Sequence, residues 1–447
     1  TQASLADRKQ LEEQLDQQAA EAEQAQARAA ELSQTVAELE AERAKLIAAV
    51  AAAKETAQAT PGADLDFSEA KTRKIFIDRY LAESGWFLTA DRDREFKVYG
   101  MPTESGEGFV DYVLWGDDGL PLAVVEAKKA MASPQVGQQQ AKLYADCLEQ
   151  MTGQRPVIFY TNGYEHWLWD DTAYPPRSVH GFLTKDELGL LIQRRTTKQS
   201  LATVDIDTEI AGRPYQARAI RAISEHFEND KQRKALVVMA TGAGKTRTVI
   251  ALSDLLMRAN WAKRILFLAD RTALVKQAAN AFKEHLPDSA PVNLVTEGSE
   301  DGRVYVSTYQ TMVGKIAETN PDGTHRFGPG HFDLIVIDEA HRSVYRKYRG
   351  IFEYFDSLLV GLTATPKDEV DTNTYGLFDL ETGVPTDAYG LDDAISDGYL
   401  VPPQGVSVPL KFVREGIRYD DLSETEKDDW DEFDWGEDED GNPLDTP

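Results

Sequence analysis

The sequence predicts an α/β protein with an N-terminal coiled-coil helix, a compact mixed α/β domain, and a parallel-sheet α/β domain. Three observations predict it. Residues 1 to about 58 are rich in Ala, Glu and Gln and contain neither Gly nor Pro. From Glu95 to Asp170, short strand-like runs are broken by turn residues and one long helical stretch. From about 205 to 405, buried apolar runs alternate with helical segments, as in a parallel sheet. The expected parts are a helical segment at 1–60, domains at 61–202 and 203–405, and an acidic linker at 406–447.

In the first part, Leu11, Leu15, Ala22, Ala25, Ala29, Leu32, Val36, Leu39, Leu46 and Val50 keep one register of alternating three- and four-residue steps. Only Gln18 and Arg43 interrupt it. Such a seam suits a coiled coil or helical hairpin, and self-association would cover it. The plain alternative is a single solvated helix with an Ala-rich face. The chain starts at Thr1 inside this helical pattern, which leaves room for an upstream piece.

Thr60-Pro61-Gly62 breaks the helix. An amphipathic helix is expected over Glu69 to Ser84, with Ile75, Ile77, Tyr80 and Leu81 on its apolar face. Strands are expected over Glu95 to Tyr99, Phe109 to Trp115 and Leu122 to Glu126, the last two joined by an Asp117-Asp118-Gly119 hairpin. A helix over Gln135 to Met151 follows. Strands over Pro156 to Thr161 and His166 to Asp170 flank an Asn162-Gly163 turn. In the next domain the strand candidates are Leu236 to Met239, Ile265 to Leu268, Asn293 to Val295, Val304 to Ser307, Leu334 to Ile337 and Leu358 to Leu362. Ligands of such sheets sit at the C-terminal ends of the strands. From Asp420 onward the chain is strongly acidic and reads as a flexible, solvated segment.

The stretch ALVVMATGAGKTRT, Ala235 to Thr248, carries the clearest chemistry. A buried strand runs into a Gly-rich turn, and Lys245-Thr246 opens a helix. Thr241, Gly242, Ala243 and Gly244 would present backbone N–H groups to phosphates at a helix N-terminus. Lys245 would reach the outer phosphates and Thr246 would ligate Mg²⁺. The common pattern has Gly where this chain has Met239. Asp338 and Glu339 end another buried strand, where an Asp holds Mg²⁺ and a Glu polarises water. Leu362 to Pro366 adds two hydroxyls, Thr363 and Thr365. Tyr215 and Gln216 open a helix, where the Gln amide offers both donor and acceptor for an adenine edge; a surface helix start is the plain alternative.

A second cluster lies earlier. Glu126 and Lys128 share one face of a strand, and Asp111 faces them across the hairpin. Two carboxylates and a lysine suffice to hold Mg²⁺ and steady a hydroxide attacking a phosphodiester. A surface ion pair is the plain alternative.

Composition limits the rest. Hydrophobic residues make up 42% and charged residues 28%, ordinary values for a soluble protein. No apolar run approaches the ~20 residues of a membrane span, and no secretory signal opens the chain. The lone cysteine, Cys147, rules out an internal disulfide and Cys-based metal sites, which suits a reducing cytoplasm. The net charge of −28 argues against bulk attraction to DNA, although the acid is unevenly spread and leaves room for a local basic groove.

MATGAGKT, LFLADRTALVKQ, STYQTM, VIDEAH and LTATP resemble motifs I, Ia, Ib, II and III of superfamily 2 helicases and translocases, in order and spacing, over about 210 to 400. The resemblance implies a first RecA-like domain that binds ATP and Mg²⁺, with Asp270, Arg271, Thr308 and Gln310 near a tracking DNA strand. The family's second RecA-like domain, with its arginine finger, is not in these residues. Asp111, Glu126 and Lys128, with Gln140 and Tyr144 on the next helix, resemble the PD-(D/E)xK nucleases of the RecB-like kind. Val110 stands where that pattern has Pro, and Glu69 is in place for an extra helix acid. A nuclease directly followed by a DEAH motor resembles the restriction (R, HsdR-type) subunits of type I restriction–modification enzymes, from about 65 to 405. That resemblance extends through Thr374-Tyr375-Gly376, Tyr389 and Asp397-Gly398-Tyr399-Leu400. It implies ATP-driven translocation on double-stranded DNA, Mg²⁺-dependent cleavage, and docking on methyltransferase (M) and specificity (S) subunits. Two other readings stand beside it: a methyltransferase-independent helicase-nuclease of DNA repair or phage defence, and a catalytically silent coiled-coil scaffold.

Overall fold

The structure is a computed structural model that describes residues 76–129, 132–297, 302–340, 342–365 and 372–402, without the side chains of 342–347 and 372–373. The expected coiled coil at 1–60, Glu69, His341, Pro366 and the acidic linker at 406–447 lie outside the described residues. Residues up to Gly390 belong to one unit, and a second begins at Leu391.

The first sheet contains β1 (Arg94–Tyr99), β2 (Glu107–Trp115), β3 (Pro121–Ala127), β4 (Val157–Thr161), β5 (His166–Trp169) and β6 (Arg177–Val179), in that spatial order. Every neighbouring pair is antiparallel except β3 and β4, which run parallel. All residues of β3 and β4 are buried, so their Val- and Phe-rich sequences form the centre of the sheet. The Asp117-Asp118-Gly119 turn joins β2 to β3. Gly119 takes a φ of +80°, and Asp118 Oδ1 accepts from the Leu120 N–H at 3.0 Å. At the next turn, Asn162 Oδ1 accepts from the N–H groups of Tyr164 and Glu165.

Helix α1 (Asp78–Glu83) precedes the sheet, α2 (Gln138–Thr152) lies between β3 and β4, and α3 (Lys185–Thr197) follows β6. Helix α2 covers one face, with Ala141, Tyr144 and Leu148 packed among Val113, Val124 and Ile158. Gly153, in the left-handed region, ends it. On the other face Ile77, Leu81 and Leu188 pack with Tyr112, Val125 and Phe159. Neither β6 nor α3 was expected from sequence. Helix α3 turns Leu188, Leu191 and Ile192 to this core, and its Thr184–Glu187 capping box marks its start.

The second sheet is wholly parallel. In chain order its elements are α4 (Pro214–Glu228), β7 (Lys234–Met239), α5 (Lys245–Arg258), β8 (Ile265–Ala269), α6 (Thr272–His285), β9 (Pro291–Asn293), β10 (Val304–Thr308), α7 (Tyr309–Ile316), β11 (Leu334–Ile337), α8 (Arg342–Tyr354), β12 (Leu358–Thr363), α9 (Thr372–Leu377) and β13 (Asp387–Tyr389). The spatial order is β13-β7-β12-β11-β8-β10-β9. Strand β9 departs from the expected Asn293 to Val295. It ends at Asn293 because the Asn293 side chain accepts from the Val295 N–H and its carbonyl accepts from Thr296 and Glu297, which turns the chain. Strand β13 is also additional, a three-residue edge strand paired to β7.

Buried ion pairs tie the two sheets together. Arg177 on β6 makes two hydrogen bonds to Asp356, just before β12, at 2.6 and 2.7 Å. Arg194 on α3 donates to Asp333, just before β11, at 2.5 Å. In the second unit, the described part contains α10 (Leu391–Ser396), closed by the Gly398 N–H donating to Ile395 at 3.0 Å.

Candidate active sites

The first site is built on β2 and β3. Their register pairs Tyr112 with Val125, so one step further Asp111 stands opposite Glu126 on the face that α2 covers. Asp111 Oδ2 accepts the Ala127 N–H at 2.7 Å, which fixes its carboxylate against the end of β3. Glu126 is 2% exposed. Lys128 Nζ donates to Glu126 Oε1 at 2.5 Å and to Gln140 Oε1 at 3.0 Å. Gln140 Nε2 in turn donates to the Tyr144 hydroxyl at 2.8 Å. The structure thus links Glu126, Lys128, Gln140 and Tyr144 by direct hydrogen bonds, with Asp111 held beside them by the Ala127 N–H. Burial pushes the Tyr144 hydroxyl pKa up. The Gln140 hydrogen bond opposes the shift, and the nearby charges of Glu126 and Asp111 add to it.

Gly137, which sequence reasoning did not single out, closes one wall. A Cβ there would meet Lys128 Cε at 3.0 Å and Glu126 Cγ at 3.1 Å. Only the tertiary fold shows this, because the turn Pro134–Gly137 folds back over β3.

The second site lies at the C-terminal ends of β7, β11 and β12. Gly242 and Gly244 take φ values of +84° and +89°, which the tight loop requires. Met239 is fully buried as the last residue of β7, so the absence of Gly there leaves the loop itself intact. Lys245 Nζ donates to Glu339 Oε1 at 3.0 Å. Glu339 holds a left-handed φ of +52°, a strained conformation for a non-glycine residue, fixed between two sheet bonds: Asp338 N–H to Leu268 and Ala340 N–H to Leu362. Burial, and then the Glu339 charge, push the Asp338 carboxyl above the ordinary carboxylate range, while Lys245 draws it back. Thr246 is half-buried on the first turn of α5. The Thr363 hydroxyl accepts from the Thr365 N–H at 3.1 Å.

Beside the loop, the Tyr215 hydroxyl donates to the Ala243 carbonyl at 2.8 Å. Tyr389 stacks on the Tyr215 ring at 3.8 Å, a contact that sequence spacing did not reveal. The Gln216 amide is bound to backbone. It accepts from the Arg213 N–H at 3.2 Å and donates to the Gly244 carbonyl at 3.3 Å. Asp270, Arg271 and Gln310 are exposed at the same edge of the sheet, after β8 and β10. Thr308 is nearly buried, and its hydroxyl caps α7.

Among the described residues, no group of three or more His, Cys, Asp or Glu side chains converges as a metal cage. Both sites offer carboxylates in ones and twos, the donor set that suits Mg²⁺, which keeps several waters and takes its remaining oxygens from substrate phosphates. No helix among these residues is long and apolar enough to cross a membrane.

Residues 94–177, which contain the first site, match the family described as type I restriction enzyme R protein N terminus. Residues 209–368, which contain the second, match the family described as type III restriction enzyme, res subunit. The chain is 33% identical over 327 residues to the type I restriction enzyme EcoAI endonuclease subunit of Escherichia coli, covering 69% of this chain and 39% of that protein. It is 28% identical over 446 residues to the EcoKI endonuclease subunit of Escherichia coli strain K12, covering 79% and 37%. The chain therefore spans less than two fifths of the length of these relatives. A fragment structure described as an HsdR subunit of a type I restriction enzyme from Vibrio vulnificus is 28% identical, with a TM-score of 0.32, covering 75% of this chain and 62% of that one.

Proposed function

We propose, from the premise that this chain is homologous to the endonuclease subunits of type I restriction enzymes, that it couples ATP-driven movement on double-stranded DNA to Mg²⁺-dependent strand cleavage. The observation that carries the reading is the hydrogen-bonded chain Glu126, Lys128, Gln140, Tyr144, with Asp111 anchored on the neighbouring Ala127 N–H, in the same polypeptide as the pair Lys245–Glu339. A nuclease constellation and a motor constellation within one unit suit a machine that moves and cuts.

At the first site Asp111 and Glu126 would hold Mg²⁺, which when bound supplies a Lewis acid and lowers the pKa of attacking water. Lys128 contributes positive charge beside the scissile phosphate. Gln140 and Tyr144 fix the lysine and limit the water around it. At the second site the backbone of Thr241 to Gly244 would cradle the ATP phosphates, and Lys245, which now holds Glu339, would turn to them. That exchange would leave the Glu339 carboxylate to orient water. Thr246 and Asp338 would hold Mg²⁺ there. Tyr215 and Gln216 line the base side of the loop and brace it through Ala243 and Gly244. The working assembly is cytoplasmic and includes the methyltransferase and specificity subunits, which select the DNA site.

The test separates the two sites within that assembly. Glu126→Ala or Lys128→Ala is expected to abolish cutting while DNA-stimulated ATPase persists, and Lys245→Ala to remove both. A folded Glu126→Ala protein that loses ATPase together with cleavage would sink the two-site reading.

A further inference from the structure

A cavity of about 280 Å³ opens where the two sheets meet. It lies away from both sites above. Arg233, Asp333 and Leu358 on its wall sit at the N-terminal ends of β7, β11 and β12, whereas the phosphate loop occupies the C-terminal ends. In a chain of net charge −28, this cavity is positive: six basic side chains and four carboxylates line it.

The carboxylates are already engaged. Asp356 is shared by Arg177 and Arg233. Asp333 accepts from Arg194 and from the N–H groups of Lys263 and Arg264. Asp170 accepts from Arg195 and Thr172, and Glu228 from Ser200 and Leu201. Lys198 remains. Its ammonium lies 4.2 Å from the centre of the Trp261 ring and 6.0 Å from that of Tyr174, and it has no hydrogen-bonding or carboxylate partner among the described residues. Ring faces hold a cation in place without taking up its N–H donors. Burial, and then the charges of Arg194 and Arg233, push the Lys198 pKa down to about 8, a sign of crowded positive charge. Arg194, 5% exposed, also has Nε and Nη2 without hydrogen-bond partners.

We propose that this cavity is an anion site that takes a phosphate group, with Lys198 as its principal charged contact. Its volume is near the lower bound of ligand clefts, about 300 Å³, and suits a free phosphate or diphosphate or a single backbone phosphate of DNA. Bound there, the phosphate offsets the surplus charge and bridges the two sheets.

The experiment titrates diphosphate into the 447-residue chain carrying Lys245→Ala, which mutes the phosphate loop, by calorimetry at constant ionic strength against chloride. Saturable binding at one site is expected. Adding Lys198→Met should weaken it by roughly tenfold or more, the loss carried by one charge-assisted contact, while Lys198→Arg retains it. Removal of Lys198 leaves no carboxylate unpaired, so the Met variant is expected to fold, and Lys198→Gln repeats the test with a polar side chain. Competition by a short DNA duplex would assign the site to backbone phosphate; its absence would assign it to the free anion. Equal affinity with and without Lys198, or no heat beyond the chloride control, would overturn the proposal.

Discussion

Asp356→Asn removes one negative charge from the seam and keeps the shape of the side chain. Its effect follows from the geometry. Asp356 is only 9% exposed at its side chain and accepts from Arg177 at 2.6 and 2.7 Å and from Arg233 at 2.9 Å. Burial alone would raise its pKa, but the charges of Arg177 and Arg233 outweigh it and hold the carboxyl well below the usual carboxylate range. An asparagine leaves two largely buried guanidinium groups without their anion. Breaking a buried pair in this way costs about 3–5 kcal/mol. The partly open wall around Arg233, 21% exposed at its side chain, favours the lower end. Urea unfolding should show a loss of about 3 kcal/mol at unchanged slope. Arg177→Met in the same chain should recover part of that loss, since the pair is then removed rather than broken. A parent-like midpoint for Asp356→Asn, or strictly additive losses in the double variant, would refute the argument that the seam is held by this carboxylate.

Three further outcomes are expected. Gly137→Ala, whose Cβ would press on Lys128 Cε at 3.0 Å, should lower cleavage by roughly tenfold at unchanged ATPase, read from a plasmid-cutting assay. Gly361→Ala places a Cβ 2.2 Å from Phe378 Cζ and should cost about 1–3 kcal/mol by overpacking, with Phe378→Leu restoring much of it in a melting experiment. Burial, with a further push from His180, lowers the His166 pKa to about 4 from 6.5. The folded chain therefore binds fewer protons between those values, so this contribution is complete above pH 6.5 and is lost as pH falls towards 4. The stability gap between parent and His166→Gln should narrow by about 2 kcal/mol from pH 7 to pH 5 in urea titrations, and a constant gap would contradict the sign.

The sequence made some parts of this structure legible because their signals are local. The phosphate loop reads directly, since strand, glycines and helix start are contiguous from Ala235 to Thr248. The hairpin at Asp117 to Gly119 places Asp111 near Glu126 for the same reason: turn chemistry sets the register. Elements stabilised by distant partners were not legible. Strand β13 has only three residues and exists because β7 offers an edge. The Tyr389–Tyr215 stack depends on that pairing. Gly137 matters through a neighbour's side chain, which no spacing rule encodes. Helix α3 has only a short apolar stripe, Leu188, Leu191 and Ile192, and its charged face towards the seam dilutes that periodicity.

Strand β13 also anchors the end of the first unit beside the Gly-rich loop. Its parallel pairs to Val237, Val238 and Met239 are followed by the Ala240 N–H donating to the Tyr389 carbonyl at 3.0 Å, one residue before the phosphate loop opens at Thr241. The Leu236 N–H and carbonyl are both bonded to Thr386, and Arg218 clamps Asp387. The chain therefore reaches Gly390 anchored on both sides of β13, directly beside the backbone of the Gly-rich loop. The last strand of the first unit and the Gly-rich loop thus hang on one continuous set of hydrogen bonds along β7.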